Sequence, residues 1–294
     1  MRKIIRSLLL APIGWTLAYL NLLGRIRPQW NSIMKDLFYE ETMASTTSIT
    51  HVNSSDGSEI NLRIHTPNAL CRFRAESFSS KEPETLEWIE QWGRYGAFFD
   101  VGANVGLYSL YFAKLFGGKV YAFEPSALNL GLLAKNIALN DLNDQIVVVP
   151  IPLTASNVTA PLTLSETDEG GALSTFGATF GHDGLPLMEK MSYQMPGCSL
   201  DFLIDSGVLP EFPSLLKIDV DGIEHLILEG AQTVLRSATL RSILIEVNDE
   251  FVELASEVNR QLLNSGFKLE SKRHGDMFQN GKFSHTFNQI WVRN

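Results

Sequence analysis

Basic residues are in short supply in this chain of 294 residues: 24 Lys and Arg stand against 33 Asp and Glu, a net charge of −9. A surface that tracks nucleic acid needs a basic footprint, so that class of partner is excluded. Cysteine is scarcer still. Cys71 and Cys198 are too few for a disulfide framework or a thiolate metal cluster, and both read as small buried apolar residues of a reducing, cytoplasmic compartment. Internal repeats and low-complexity segments are absent as well. Long apolar runs are missing except at the N-terminus, where residues 8–24 carry no charge, the bottom of the length that spans a bilayer. Arg2, Lys3 and Arg6 flank one end and Arg25 and Arg27 the other, so charge sets no orientation, and no small-residue cleavage site follows.

Helical spacing divides this N-terminal segment into two faces. Lys3, Ser7, Ala11, Gly14, Ala18, Asn21 and Arg25 share one, and Ile4, Leu8, Trp15, Tyr19, Leu22 and Ile26 the other. Such a helix suits peripheral contact with a membrane surface, or docking on its own domain or, by self-association, on a second subunit; a true span is the third reading. Residues 1–35 therefore stand apart as an amphipathic segment. Residues 36–95 form a second segment. In it the alternation over 59–64 and the Asp56-Gly57 turn predict a β-hairpin, and 81–93 reads as a helix with early proline and closing glycine.

From residue 96 to 294, apolar strand patterns and helical patterns alternate. Strands are expected at 97–100, 119–123, 146–149, 215–219 and 242–246. Helices are expected at 107–116, 126–140 (with Ser126 as cap), 223–236 and 250–264. Segments 267–269 and 288–292 pair as a closing antiparallel hairpin. Residues 165–199 show little periodicity and read as a long functional or mobile loop. This is an α/β, Rossmann-like, doubly wound pattern: a seven-stranded, mostly parallel sheet with a C-terminal antiparallel strand and an N-terminal helical/β extension.

The first strand ends in Phe98-Phe99-Asp100-Val101-Gly102-Ala103-Asn104-Val105-Gly106-Leu107-Tyr108. Gly102 can take φ > 0, and Gly106 admits the close approach of a ligand or a neighbouring strand. The next strand ends at Glu124, 22 residues after Gly102, where an acid is placed for the two ribose hydroxyls of an adenosine cofactor. A nicotinamide enzyme shows G-x-G-x-x-G; here the loop reads Gly102-x-Asn104-x-Gly106 with a leading carboxylate. That acid suits a cationic ligand such as the amino group of S-adenosyl-L-methionine and sits poorly beside a pyrophosphate. The pattern favours a methyltransferase over a dehydrogenase, and the closing antiparallel strand matches the class I methyltransferase form of the fold.

Methyl transfer from a sulfonium is an in-line displacement that needs alignment, exclusion of water and removal of the acceptor's proton. Leu215-Leu216-Lys217-Ile218-Asp219-Val220-Asp221-Gly222-Ile223-Glu224-His225 brings candidate groups to the same sheet edge. Asp219, Asp221 and Glu224 are the candidate bases or acceptor-orienting groups, with Lys217 pairing with Asp219 or Asp100. The competing structural reading gives Asp221 and Glu224 to a helix N-terminus and His225 to the surface. A metal-dependent variant would use Asp219 with Glu246, which end adjacent strands.

Three blocks resemble the FkbM-type S-adenosylmethionine-dependent methyltransferases: Phe99-Asp100-Val101-Gly102-Ala103-Asn104-Val105-Gly106-Leu107-Tyr108, Ala122-Phe123-Glu124-Pro125 and Lys217-Ile218-Asp219-Val220-Asp221-Gly222-Ile223-Glu224. Ser199-Leu200-Asp201 is similar to a fourth. The resemblance implies methyl transfer to oxygen, typically a hydroxyl of a sugar, polyketide or other secondary metabolite. It also implies that Asp100, Gly102 and Asn104 hold the methionine moiety and Glu124 the ribose, with Gly106 completing the loop. Asp221 stands where the family commonly has Glu, and Pro152-Leu153-Thr154-Ala155 lacks the family's carboxylate. The expected function is S-adenosylmethionine-dependent O-methylation of a small-molecule or glycan hydroxyl. The competing function is a non-catalytic adenosine-cofactor-binding module in a membrane-associated glycan assembly, which would not need so many carboxylates.

Overall fold

The computed structural model describes residues 46–293 and a scatter of helical positions between 15 and 41. The chain forms two compact units, divided after Thr47. In the first, Trp15, Tyr19 and Leu22 are helical and exposed. The flanking arginines, Lys3, Ile4, Leu8 and Ile26 lie outside the described residues. Among the described residues no helix is long and apolar enough to cross a membrane.

The second unit opens with the hairpin β1 (Thr47–Asn53) and β2 (Glu59–His65), turned at Gly57 with φ 86°. Helix α1 (Ala69–Lys81) follows, capped by Asn68, whose side chain accepts from the Cys71 amide. Helix α2 (Pro83–Trp92) begins with proline at its first turn. Then come β3 (Phe98–Val101), α3 (Leu107–Phe116), β4 (Val120–Phe123), α4 (Ala127–Leu139) and β5 (Ile146–Val149). An insertion carries β6 (Val158–Leu164), β7 (Ser174–Phe176) and β8 (Met191–Gly197). The chain closes with α5 (Leu200–Asp205), β9 (Leu215–Ile218), α6 (Glu224–Glu229), α7 (Gln232–Arg236), β10 (Ser242–Asn248), α8 (Val252–Asn264), β11 (Lys268–Arg273) and β12 (Thr286–Val292).

The main sheet has the order β11-β12-β10-β9-β3-β4-β5, with β12 antiparallel to both neighbours and the five strands from β10 to β5 parallel. It is the expected seven-stranded, mostly parallel, Rossmann-like sheet with a C-terminal antiparallel strand. One face packs Phe98, Val120, Leu215 and Leu244 against the hairpin, α2 and α3; the other packs Phe99, Tyr121, Leu216 and Ile243 against α5 to α8. Successive strand residues point to opposite faces, so two full cores form on one sheet. Trp88 of α2 pins the first layer. Its indole donates to Ser242 Oγ at 2.8 Å, and that hydroxyl donates to the Trp291 carbonyl at 2.9 Å.

Three expectations are corrected. Residues 165–199 are not one irregular loop: β7 and β8 flank β6 in a three-stranded antiparallel sheet, with Leu162, Leu164 and Phe176 packed on Ile223. The periodicity was hidden because most of β8 is partly or fully exposed. The helix expected over 223–236 breaks at Gly230, where a Cβ would lie 2.3 Å from the Thr154 carbonyl oxygen. The new start, α7, is held by Asp201, whose carboxylate accepts from the Thr233 and Val234 amides at 2.8 and 3.0 Å. Ser126 occupies the N-cap position of α4, but its side chain makes no capping bond.

Candidate active site at the carboxyl edge of the sheet

Register places the site. Ala122, Asp100, Lys217, Leu244 and Ile290 lie side by side across β4, β3, β9, β10 and β12. Two residues further along the parallel strands come Glu124, Gly102, Asp219 and Glu246, and Asn288 lies opposite Glu246 on β12. All five line one cavity of about 520 Å³. It sits where the chain order reverses between β3 and β9, the switch point at which open α/β sheets take their ligands.

On one side, the β3–α3 loop is held by its glycines. Gly102 has φ 86°, and a Cβ there would lie 1.9 Å from the Asp219 carbonyl oxygen, so the loop can pass β9 only without a side chain. Gly106 also has positive φ, but its missing Cβ makes room for Leu133 of α4, not for a ligand or a strand, and it does not line the cavity. The Asn104 amide donates to Glu124 Oε2 at 2.8 Å, and the Ser126 amide donates to Oε1 at 2.8 Å. Burial nevertheless lifts Glu124 to a pKa of about 7. Asn104 Oδ1 is buried with no hydrogen-bond partner.

Asp100 departs from expectation. It is fully buried, does not line the cavity, and accepts from Ser109 Oγ at 2.6 Å. Burial raises its pKa against the pull of Lys217. Lys217 is itself 1% exposed and donates to Asp219 Oδ2 at 2.7 Å, with its ammonium 5.1 Å from the Tyr108 ring centroid. Burial works to discharge this lysine, but Asp219, Asp100 and Glu82 outweigh it and raise its pKa. Lys217 thus holds Asp219 from behind the cavity wall. Glu82 closes the network, accepting from Lys81 Nζ at 2.5 Å and Tyr108 OH at 2.6 Å. Burial pushes Glu82 up, yet Lys81 and Lys217 hold it at about 2.

Asp221 lines the cavity in a left-handed conformation, φ 63°, which is strained for a residue with a side chain. Its Oδ2 accepts from the Leu173 and Ser174 amides at 2.8 and 3.2 Å. Burial, reinforced by Asp219, lifts it to about 6. Glu224 does not reach the cavity. It folds back on its own turn, taking the Gly222 amide at 3.1 Å and the Val220 amide at 3.3 Å, and burial lifts it to about 7. His225 also lies off the cavity. Of the four catalytic candidates, Asp219 and Asp221 meet the cavity, whereas Lys217 and Glu224 stand behind its wall.

Several site residues carried too weak a sequence signal. Asn129 of α4 accepts from the Gly170 amide at 2.9 Å and donates to the Gly171 carbonyl at 3.2 Å. Asn104 Nδ2 reaches the same carbonyl at 2.8 Å, and Arg74 Nε donates to the Gly170 carbonyl at 2.7 Å. These bonds clamp the insertion along the cavity, where Gly171 to Ser174 line it. Phe73 of α1 and Phe278 and Phe283 between β11 and β12 add to its aromatic lining, beside Phe123 and Phe176. Glu246 lines the cavity partly exposed, and burial, with Asp219, Glu82 and Asp221 as like charges, raises its pKa. Among the described residues no group of three His, Cys, Asp or Glu is placed to hold a metal ion.

The chain is similar to several known proteins. Methyltransferase sdnD of Sordaria araneosa is 40% identical over 65 residues, 22% of this chain and 25% of its own. The crystal structure of methyltransferase FkbM from Methylobacillus flagellatus KT aligns with a TM-score of 0.49 at 14% identity, over 76% of this chain and 52% of that one. An O-methyltransferase from Bacillus cereus, solved in complex with SAH, aligns with a TM-score of 0.43 at 14% identity, over 71% and 79% of the two chains. This chain therefore spans a quarter of the curated relative and about half of the FkbM structure. The sequence model of the methyltransferase FkbM domain matches residues 100–269, more than half of the chain, from the glycine loop to the last hairpin. The protein belongs to the FkbM methyltransferase domain family.

Proposed function

We propose that the cavity binds S-adenosylmethionine beside its acceptor and that the protein methylates a hydroxyl of a sugar, glycan or secondary metabolite. The observation that carries this reading is the row Glu124, Gly102, Asp219, Glu246 and Asn288, which brings a cofactor-type acid and acceptor-side acids into one space. The donor set fits the cofactor. Glu124 has spare lone pairs for ribose hydroxyls beyond the two amides it already accepts from. The orphaned Asn104 Oδ1 can accept from the cofactor's ammonium. When bound, S-adenosylmethionine supplies an electrophilic methyl group on a sulfonium.

On the acceptor side, Asp219, fixed by Lys217, orients a hydroxyl, and Asp221 presents a second carboxylate held by two backbone amides. Phe73, Phe278 and Phe283 exclude water and cover an apolar ring face. An alcohol is far less acidic than any carboxylic acid, so its proton must leave in concert with transfer. Oxygen is favoured over nitrogen because the Asn/Asp-Pro-Pro-aromatic strand end that cradles an amine is replaced here by residues 217–221. Incubating the protein with methyl-labelled S-adenosylmethionine and a polar metabolite extract of the source cells tests the assignment. Label is expected in a product heavier by one methylene, bound through oxygen. Label recovered on nitrogen, or none above a protein-free control, contradicts it.

A further inference from the structure

We infer that Glu246 takes the acceptor's proton, an assignment that rests on the oxygen-transfer reading above. Six carboxylates line the cavity, and five are engaged. Asp219 is bound to Lys217, Asp221 to two amides, Glu82 to Lys81 and Tyr108, Glu124 to two amides, and Glu166 to the Ala172 amide at 3.1 Å. The Glu246 carboxylate has no hydrogen bond or ion pair among the described residues.

Its position suits the role. Ile245 pairs with Ile218, so Glu246 emerges beside Asp219 at the end of the neighbouring parallel strand. On its other side lies Asn288, whose amide is held by Glu84 at 2.8 Å. The strongest charges acting on Glu246 are Asp219 on the adjacent strand, Asp221 beyond it, and Glu82 and Lys81 at the junction of α1 and α2, while His274 and Lys282 line the same cavity. Three carboxylates thus oppose one ammonium that is already spent on Glu82. This field favours proton uptake at Glu246, and burial works in the same direction. As the acceptor oxygen–methyl bond forms, the sulfur–methyl bond breaks and its electron pair stays on sulfur. The acceptor O–H bond breaks and the proton passes to the Glu246 carboxylate, which later releases it to solvent. Asp219, held by Lys217, and Asp221, held by two backbone amides, orient the hydroxyl.

The test compares wild type with Glu246→Gln and Asp219→Asn. Glu246→Gln should bind S-adenosylhomocysteine as wild type does in calorimetry. It should lose about 10²–10⁴-fold in kcat for label transfer into the product of the extract assay, and lose the acid limb of the pH profile. Infrared titration of the protein free of ligand, with ¹³C-labelled glutamate, gives a readout apart from turnover: beside Glu124 and Glu224, one further glutamic acid protonated above the normal range, lost from the variant. A Glu246→Gln protein that keeps wild-type turnover, or whose infrared signal is undiminished from wild type, overturns the assignment. Wild-type protein that binds no S-adenosylhomocysteine overturns the parent reading with it.

Discussion

Lys217 is a buried ammonium whose work is electrostatic. It faces Asp219, Asp100 and Glu82 across a water-poor wall, and without it these carboxylates would repel one another. Breaking a buried pair by removing one partner typically costs about 3–5 kcal/mol, because the other charge is left uncompensated. Lys217→Met is therefore expected to lower unfolding free energy by about that amount in urea titrations. Unchanged stability would mean that the surrounding carboxylates do not need this cation. Glu224 carries a different expectation. It binds only the backbone of its own turn, so Glu224→Gln should keep S-adenosylhomocysteine affinity while destabilising the segment between Val220 and Gly222. Lost affinity without lost stability would instead place Glu224 in the cavity.

Among the elements, strands β3, β4, β5, β9 and β10 were legible because strands buried on both faces read as short apolar runs, and a carboxylate at the end of each of two runs marked the rim. Gly102 was legible for its positive φ, and Glu124 for its distance from that glycine. The insertion was not, since partly exposed β8 carries no clean alternation. Helix α1 was missed because its polar and apolar residues are nearly evenly spread around the helix, leaving Asn68 as its one clear signal. The clamp from Asn129 and Asn104 onto Gly170 and Gly171 depends on contacts between residues distant in sequence, which no local pattern encodes. Asn129→Ala removes two of those bonds and should speed amide hydrogen exchange across residues 165–175, with little change in the main sheet. Exchange rates equal to wild type would show that the insertion is held by its own sheet alone.

At the scale of the whole molecule, the crowded carboxylates link stability to pH. Glu124 and Glu224 titrate near 7 and Asp221 near 6 in the folded protein, against ordinary values of 4.5 and 3.8. Between those limits the folded state holds more protons than the unfolded state, so stability falls as pH rises from about 4 to about 7. Glu82, held near 2, acts oppositely and adds stability only as pH rises from about 2 to about 4.5. Melting temperature of the protein without ligand should therefore peak on the acid side of neutrality. A flat or rising profile between pH 5 and pH 7, a range inside that same window, would contradict these proton affinities. This cost is expected of a catalytic site, where like charges are gathered for chemistry and not for stability.

The proposed function requires the glycine loop and Glu124 to form the cofactor half of the cavity. Titration calorimetry with S-adenosylhomocysteine tests it most directly, using wild type, Gly102→Val and Glu124→Ala. One binding site is expected in wild type, abolished by Gly102→Val, whose side chain would collide with the Asp219 carbonyl, and weakened by Glu124→Ala. No binding in wild type, or equal affinity in all three proteins, would show that this loop and Glu124 do not hold the cofactor.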